Sequence, residues 1–276
     1  MTINIANHGF TIIWDSVYYF ALSDYPNISD WELRKLILFS DYERKHNREI
    51  KIICENSKII QAANHALANP ALFLSAQKPS IITECTACKQ KGCLTEFVCH
   101  TTPIENAKKI LTSGKLLSAV KAFGKTADEL VFDRNNSPFS VFNDPPDYYD
   151  YLMLSWGNCQ AVDRIVMERI LGRSPNEFDL SIDFQPGVRF YFKYDVIKNH
   201  KDFTNDGYHP AKIKNELSLT EYLYCCIIPE NHRTKFKDII PSFLANRVFY
   251  IENNCEDIWN WSEKVYNFVL GRGKPT

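Results

Sequence analysis

Residues 96–114, Glu-Phe-Val-Cys-His-Thr-Thr-Pro-Ile-Glu-Asn-Ala-Lys-Lys-Ile-Leu-Thr-Ser-Gly, hold the strongest local constraint in this chain. The pattern predicts a short strand that ends in His100 and turns sharply into a helix over 103–113. Thr102 suits the N-cap, Pro103 the first helical position and Glu105 the third, which together make a capping box. Ile104, Ala107, Ile110 and Leu111 share one helical face, and Gly114 stops the helix by adopting the left-handed conformation. The imidazole of His100, the hydroxyls of Thr101 and Thr102 and the unpaired N–H groups of the helix start then converge. Such a corner suits an anionic or amide-bearing ligand.

The rest of the chain sets the frame for that corner. A length of 276 residues allows one large domain or two small ones, and 45% hydrophobic against 24% charged residues indicates a folded core rather than disorder. With a net charge of −1, attraction to nucleic acid or an acidic membrane needs a local patch. No apolar run is long enough for a membrane span, and no signal-peptide pattern opens the chain. Nine cysteines, an odd number without regular spacing, fit a reducing cytosol, so a cytoplasmic protein is expected.

In chain order, residues 1–22 read as extended, with 10–14 fitting an edge strand or a short helix. Ser29-Asp30-Trp31-Glu32 is a capping box that starts a helix to Arg44. A second helix is expected over 48–67, and residues 1–80 together read as an N-terminal, mainly helical element. Residues 128–149 read as a long irregular loop, and 151–156 as a buried strand. The helix after it should bury Ala161, Val162, Ile165, Val166 and Ile170 and stop at Gly172. Residues 188–194 alternate as a strand, and 198–214 read as a basic loop. Residues 222–229 form a near-continuous apolar strand, followed by a helix over 232–240 and a strand over 247–251. A last helix is ended by Gly271. Strands and helices mix without βαβ alternation, so the expected class is α+β.

Cys85 and Cys88 form a Cys-x-x-Cys pair, and Cys93 with Cys99 or His100 would complete four zinc ligands. The spacing is short for a zinc ribbon, which favours a cysteine-rich loop and a small apolar role for Cys99. Residues 101–127 carry Lys108, Lys109, Lys115, Lys121 and Lys125 against the one acid Glu105, a patch able to hold phosphates or to serve as solvated surface. Gly124-Lys125-Thr126 lacks the first glycine of a P-loop, since Ala119 stands there. No G-x-G-x-x-G is present either, so ATPase and Rossmann readings fall away.

The strand with His100, followed by Thr102, Asn106 and an Ile-Leu-x-x-Gly helix end, resembles the first motif of the ADP-ribosyltransferase superfamily, above all the DarT-type nucleic-acid ADP-ribosyltransferases. Residues 220–230 resemble their third motif, in which a glutamate enters a strand ending near a proline. The likeness covers about residues 96–240 and departs from the family at Cys225-Cys226 and in the middle arginine- and proline-containing strand. It implies an ADP-ribosyltransferase-like α+β domain over 81–276, with NAD as substrate and a toxin-like transferase (glycosyltransferase) activity. It also implies nucleic acid as a candidate acceptor and an antidote protein as a candidate partner. His100, Thr101, Thr102 and Asn106 would hold NAD, Glu221 would be the catalytic carboxylate, and Arg134 would serve catalysis or the phosphates. Glu216 competes for the carboxylate role, and Ser218-Leu219-Thr220-Glu221 also fits a capping box. Two other classes stay open: an RNA 2′-phosphotransferase-like enzyme, and a non-enzymatic, zinc-stapled binding module.

Overall fold

The structure is a computed structural model that describes residues 1–8, 11–14, 16–76, 96–135 and 145–272. It is a mixed α/β architecture with several sheets, divided into two compact units. The first unit comprises residues 1–79 together with 141–145 and 204–210, and the second comprises the remainder.

In the first unit, β1 (Thr2–Ala6) runs parallel to β3 (Val17–Ala21) and β4 (Lys51–Ile53), while β2 (Ile12–Trp14) pairs antiparallel on the edge. The strand reading of 10–14 therefore applies to residues 12–14. Ile3, Ile5, Tyr18 and Phe20 alternate onto one buried face. They pack there with Leu36 and Phe39 of α1 (Asp30–Lys45) and with Ile59 and Ala63 of α2 (Ser57–Ala68). The expected capping box starts α1: Ser29 accepts from the Glu32 N–H, and the Glu32 carboxylate accepts from the Ser29 N–H at 2.9 Å. The single helix expected over 48–67 is instead β4 followed by α2, which Asn56 caps through the Lys58 N–H. Ile52 and Ile53 carry the reason, because β-branched side chains favour the parallel pairing with β1. This unit thus combines a four-stranded sheet with the helices α1 and α2.

Residues 204–210 complete it. Asp206, fully buried, accepts from the N–H groups of Tyr208 and His209 at 3.0 and 2.7 Å, and from His209 Nδ1 at 2.8 Å. The Tyr208 ring lies 5.6 Å from that of Tyr18, edge to face.

The second unit contains β5 (Phe97–Thr102), α3 (Ile104–Ser113), β6 (Lys115–Leu117), α4 (Ala119–Phe123) and α5 (Ala127–Asn135). Next come β7 (Tyr151–Trp156), α6 (Ala161–Leu171), α7 (Glu177–Ser181), β8 (Val188–Lys193), α8 (Tyr194–Ile197), β9 (Phe203–Thr204) and β10 (Ala211–Lys214). The last are β11 (Glu216–Ser218), α9 (Leu219–Tyr222), β12 (Leu223–Pro229), α10 (Arg233–Phe236), β13 (Val248–Ile251) and α11 (Ile258–Arg272). The main sheet has the order β13-β12-β8-β5-β7-β10-β9, with β11 and β6 pairing separately. Its central strands are covered on both faces. Val98, Phe190, Phe192 and Ile228 meet Ala107 and Leu111 of α3 on one side. Phe97, Cys99, Tyr191 and Ile227 meet Trp261, Val265 and Val269 of α11 on the other.

Several local expectations are corrected. β5 continues two residues past His100, because Thr101 and Thr102 remain in register with Arg189 and Val188 of β8. Thr102 is therefore a strand residue. Pro103 takes the N-cap without a side-chain bond, and Glu105 pairs with Lys108 at 2.8 Å instead of closing a box. Gly114 does end α3 in the left-handed conformation, at φ +67°. Residues 127–135 are helical, and 146–150 form a 3-10 turn. The helix expected over 232–240 is a 3-10 turn over Glu230–His232 and the four-residue α10. Gly271 lies inside α11.

In α6, Val166 is buried as expected, but Ala161 and Ile170 are exposed, while Asp163 and Glu168 are buried. Asp163 turns inward because Arg189 waits for it. Both are fully buried, and Nη2 and Nε of Arg189 donate to the carboxylate. Nη1 also donates to the Gly157 carbonyl at 3.3 Å and the Tyr191 hydroxyl at 3.0 Å, and Nη2 to Ser262 at 2.9 Å. This network ties β8, the turn after β7, α6 and α11 together.

Candidate functional site

His100 occupies the fourth of six positions of β5, in register with Phe190. The main chain of Met153 in β7 lies near its ring and favours the protonated form. Burial holds its pKa down to about 4, the positive charge of Arg169 adds to this, and the Met153 main chain opposes both. The imidazole is therefore neutral at pH 7, and serves as a hydrogen-bonding group rather than a cation. Because the folded pKa lies below the unfolded value, the native state resists protonation, and His100 costs stability as pH falls from about 6.5 toward 4. NMR titration of the ring should show one histidine that stays neutral at pH 5. A His100 midpoint above 6 would remove the neutral-imidazole role.

Thr101 and Thr102 are both buried. The Thr101 hydroxyl is buried on the same strand face as Cys99, two residues earlier, and stands close enough to its thiol to lower the thiol's pKa slightly against burial. The Cys99 thiol reaches the Trp156 carbonyl at 3.5 Å, and burial pushes its pKa up to about 12. It behaves as a small apolar group, as expected, not as a thiolate ligand. Cys85, Cys88 and Cys93 lie outside the described residues. Among the described residues no group of three or more His, Cys, Asp or Glu side chains is placed to hold a metal, and no helix is long and apolar enough to cross a membrane.

Asn106 is exposed on α3. Arg134 is carried by α5 and not by a loop, and its side chain lies outside what the structure describes. Glu221 is exposed on α9, where the Tyr222 hydroxyl is hydrogen-bonded to it. Ser218 makes no side-chain cap for that helix. Through β8, Leu223 is level with Val98 and Cys226 with His100. Glu221 therefore lies beyond the Phe97 end of β5, away from Thr102, and near the end of α3, where the Leu219 N–H donates to the Gly114 carbonyl at 2.9 Å.

Glu216 is placed differently. It opens β11, which pairs antiparallel with β6 in the register Glu216↔Leu117 and Ser218↔Lys115. β6 follows directly from α3, so the element that begins at His100 leads by chain and then by pairing to Glu216. The preceding residue, Asn215, has φ +68° and donates its N–H to the Asp150 carbonyl at 2.9 Å, at the start of β7. Asp150 and Met153 are three residues apart, so Asn215 and the His100 ring meet the same stretch of chain at points ~10 Å apart. The Glu216 carboxylate accepts from Lys115 Nζ at 2.7 Å. That bond, with the nearby charges of Lys115, Lys121 and Lys201, holds its pKa below the usual carboxylate value against slight burial. Both partners are about half exposed, so the pair is worth little and separates cheaply.

Lys212 was expected in a basic loop but is fully buried in β10, in register with Met153. Its ammonium stands 3.5 Å from the ring centroid of Tyr148 and 4.7 Å from that of Tyr151. A buried cation thus adjoins the strand segment that meets His100. The sequence signal for it was the alternation of Ala211, Ile213 and the lysines between them, read as loop because of its charge. No family model, no curated protein and no solved structure matches the chain.

Proposed function

We propose that the second unit is an NAD-dependent ADP-ribosyltransferase, with Glu216 in preference to Glu221 as its carboxylate. The observation that carries this reading is that Asn215, the residue before Glu216, bonds the Asp150 carbonyl just ahead of β7, while the His100 imidazole, neutral at pH 7, meets Met153 three residues further on. Breaking the C1′–N bond sends its electron pair to nicotinamide and leaves an oxocarbenium-like ribose. An ionised carboxylate stabilises that positive charge and orients the hydroxyl or amine that attacks C1′. A neutral imidazole donates to or accepts from ribose hydroxyls without adding repulsive charge. Lys115, Lys121 and Lys201 around Glu216 favour a phosphate-bearing acceptor such as nucleic acid.

Nicotinamide release in the presence of single-stranded and duplex nucleic acid tests this. Glu216→Gln should lower kcat on the order of 10²-fold, while Glu221→Gln should stay within a few-fold. The reverse pattern would return the role to Glu221. The absence of both NAD turnover and thermal stabilisation by NAD in the unaltered protein would end the transferase reading.

A further inference from the structure

β13 is the outermost strand of the main sheet, and among the described residues it pairs only with β12. The Val248 N–H turns back to the Ala245 carbonyl. The main chain of Phe249, Tyr250 and Ile251 makes no hydrogen bond among the described residues except to β12. Such a margin offers N–H and C=O groups to a further strand.

α11 lies along this margin. Trp261, Val265 and Val269 are buried in the core, which leaves Lys264, Phe268 and Arg272, each four residues apart, on the side toward β13. Lys264 Nζ donates to the Glu252 carbonyl, just past β13, at 2.6 Å. The Phe268 ring lies 5.6 Å from that of Phe249, and the Arg272 guanidinium stands 3.6 Å from the Phe249 ring centroid. Cation, aromatic and cation thus follow one another along the strand. Phe268 is 38% exposed, and Arg272 is exposed.

Neighbours in this stripe are about 6 Å apart, close to the roughly 6.6 Å between alternate residues of a strand. A strand added to β13 would therefore set every second side chain against one member of the stripe. Lys264 already pairs with Glu256 at 2.6 Å. On the opposite face Arg233 stacks on Tyr250 and pairs with Glu230 at 2.8 Å. Arg272 has no carboxylate partner among the described residues, so the unmatched charge at this margin is positive. A second copy joined edge to edge would bring two such cations to one seam, whereas an acidic segment is attracted.

We propose that the β13 edge, with the Lys264–Phe268–Arg272 stripe beside it, binds an extended acidic peptide of a partner protein by strand addition. Arg272 takes an aspartate or glutamate, and Phe268 takes an apolar side chain two residues away in the peptide. The site makes no use of NAD or of Glu216.

The test titrates the full chain into fluorescein-labelled Thr-Asp-Thr-Phe-Thr-Val, and into the same peptide with lysine in place of aspartate, followed by anisotropy and amide NMR. The aspartate peptide should saturate, shift the amides of Phe249, Tyr250 and Ile251, and bind roughly tenfold more tightly than the lysine peptide. Phe268→Ala should weaken it. Arg272→Glu should reverse the preference between the two peptides, which a merely misfolded variant would not do. Equal binding of both peptides, an unchanged preference in Arg272→Glu, or no saturation by about 1 mM overturns the proposal. Self-association that protects the same amides without peptide would assign the edge to a second copy and overturn it too.

Discussion

Replacing Arg189 with methionine should cost about 3–5 kcal/mol of stability, measured by urea unfolding at pH 7. The guanidinium is fully buried and makes all of its bonds inside the second unit, to Asp163, Gly157, Tyr191 and Ser262. Methionine fills much of the same volume, so the loss is chiefly electrostatic. The Asp163 carboxylate would be left in the interior without its partner. Burial already pushes Asp163 upward against the pull of Arg189, and removing that pull raises it further. The native variant then binds more protons than its unfolded chain. Its stability should therefore fall as pH rises from about 4 toward neutrality, and partial recovery is expected in acid. Changing Asp163 to leucine in the same chain should restore most of the loss, since an apolar pair often replaces a buried ion pair at little cost. A single variant that loses less than about 1 kcal/mol would show that water reaches Asp163.

Gly207→Ala should be of similar size, about 3 kcal/mol or more, for a different reason. The residue has φ +72°, and a β-carbon there would stand 2.1 Å from the Lys35 carbonyl oxygen and 2.7 Å from the Phe39 nitrogen. Those atoms are the backbone of α1, which cannot move aside as a side chain can. The substitution should expel residues 204–210 from the first unit. It would then expose Asp206 and withdraw Tyr208 from Tyr18. Amide exchange at Tyr208 and His209 reads this directly, because both N–H groups are bonded to Asp206. Gly124→Ala is the matched control. It has φ +63° but nothing within 4 Å, so only the left-handed penalty of about 1 kcal/mol applies. Equal protection in the Gly207→Ala and parent proteins would mean that the loop is not held as described.

The two cases explain what could be read from residue order. Where structure follows from neighbours, the reading succeeded: Gly114 ends α3, Ala107 and Leu111 face inward, and Ser29 with Glu32 starts α1. It failed where a distant partner overrides a local signal. Thr102 has the composition of an N-cap, yet pairing with Val188 keeps it extended. Asp163 looks like solvent-facing helix, yet Arg189, 26 residues away, draws it inside. Lys51–Ile53 continues a helical pattern, yet β1 recruits it as a strand. The site divides in the same way. The strand that carries His100 and the helix after it were legible, whereas the pairing of Glu216 with Lys115 depends on β11 meeting β6 across 101 residues. One clue was present: Asn215 is a residue type that tolerates positive φ and often marks a turn into a new strand.

The discontinuity of the first unit also bears on synthesis. Its sheet and helices are encoded before residue 80, but Gly207 and Tyr208 arrive only after most of the second unit's strands have left the ribosome. A nascent chain must therefore carry an unfinished hydrophobic surface at Tyr18 until Tyr208 has been made. A fragment cut at residue 79 would keep that defect permanently.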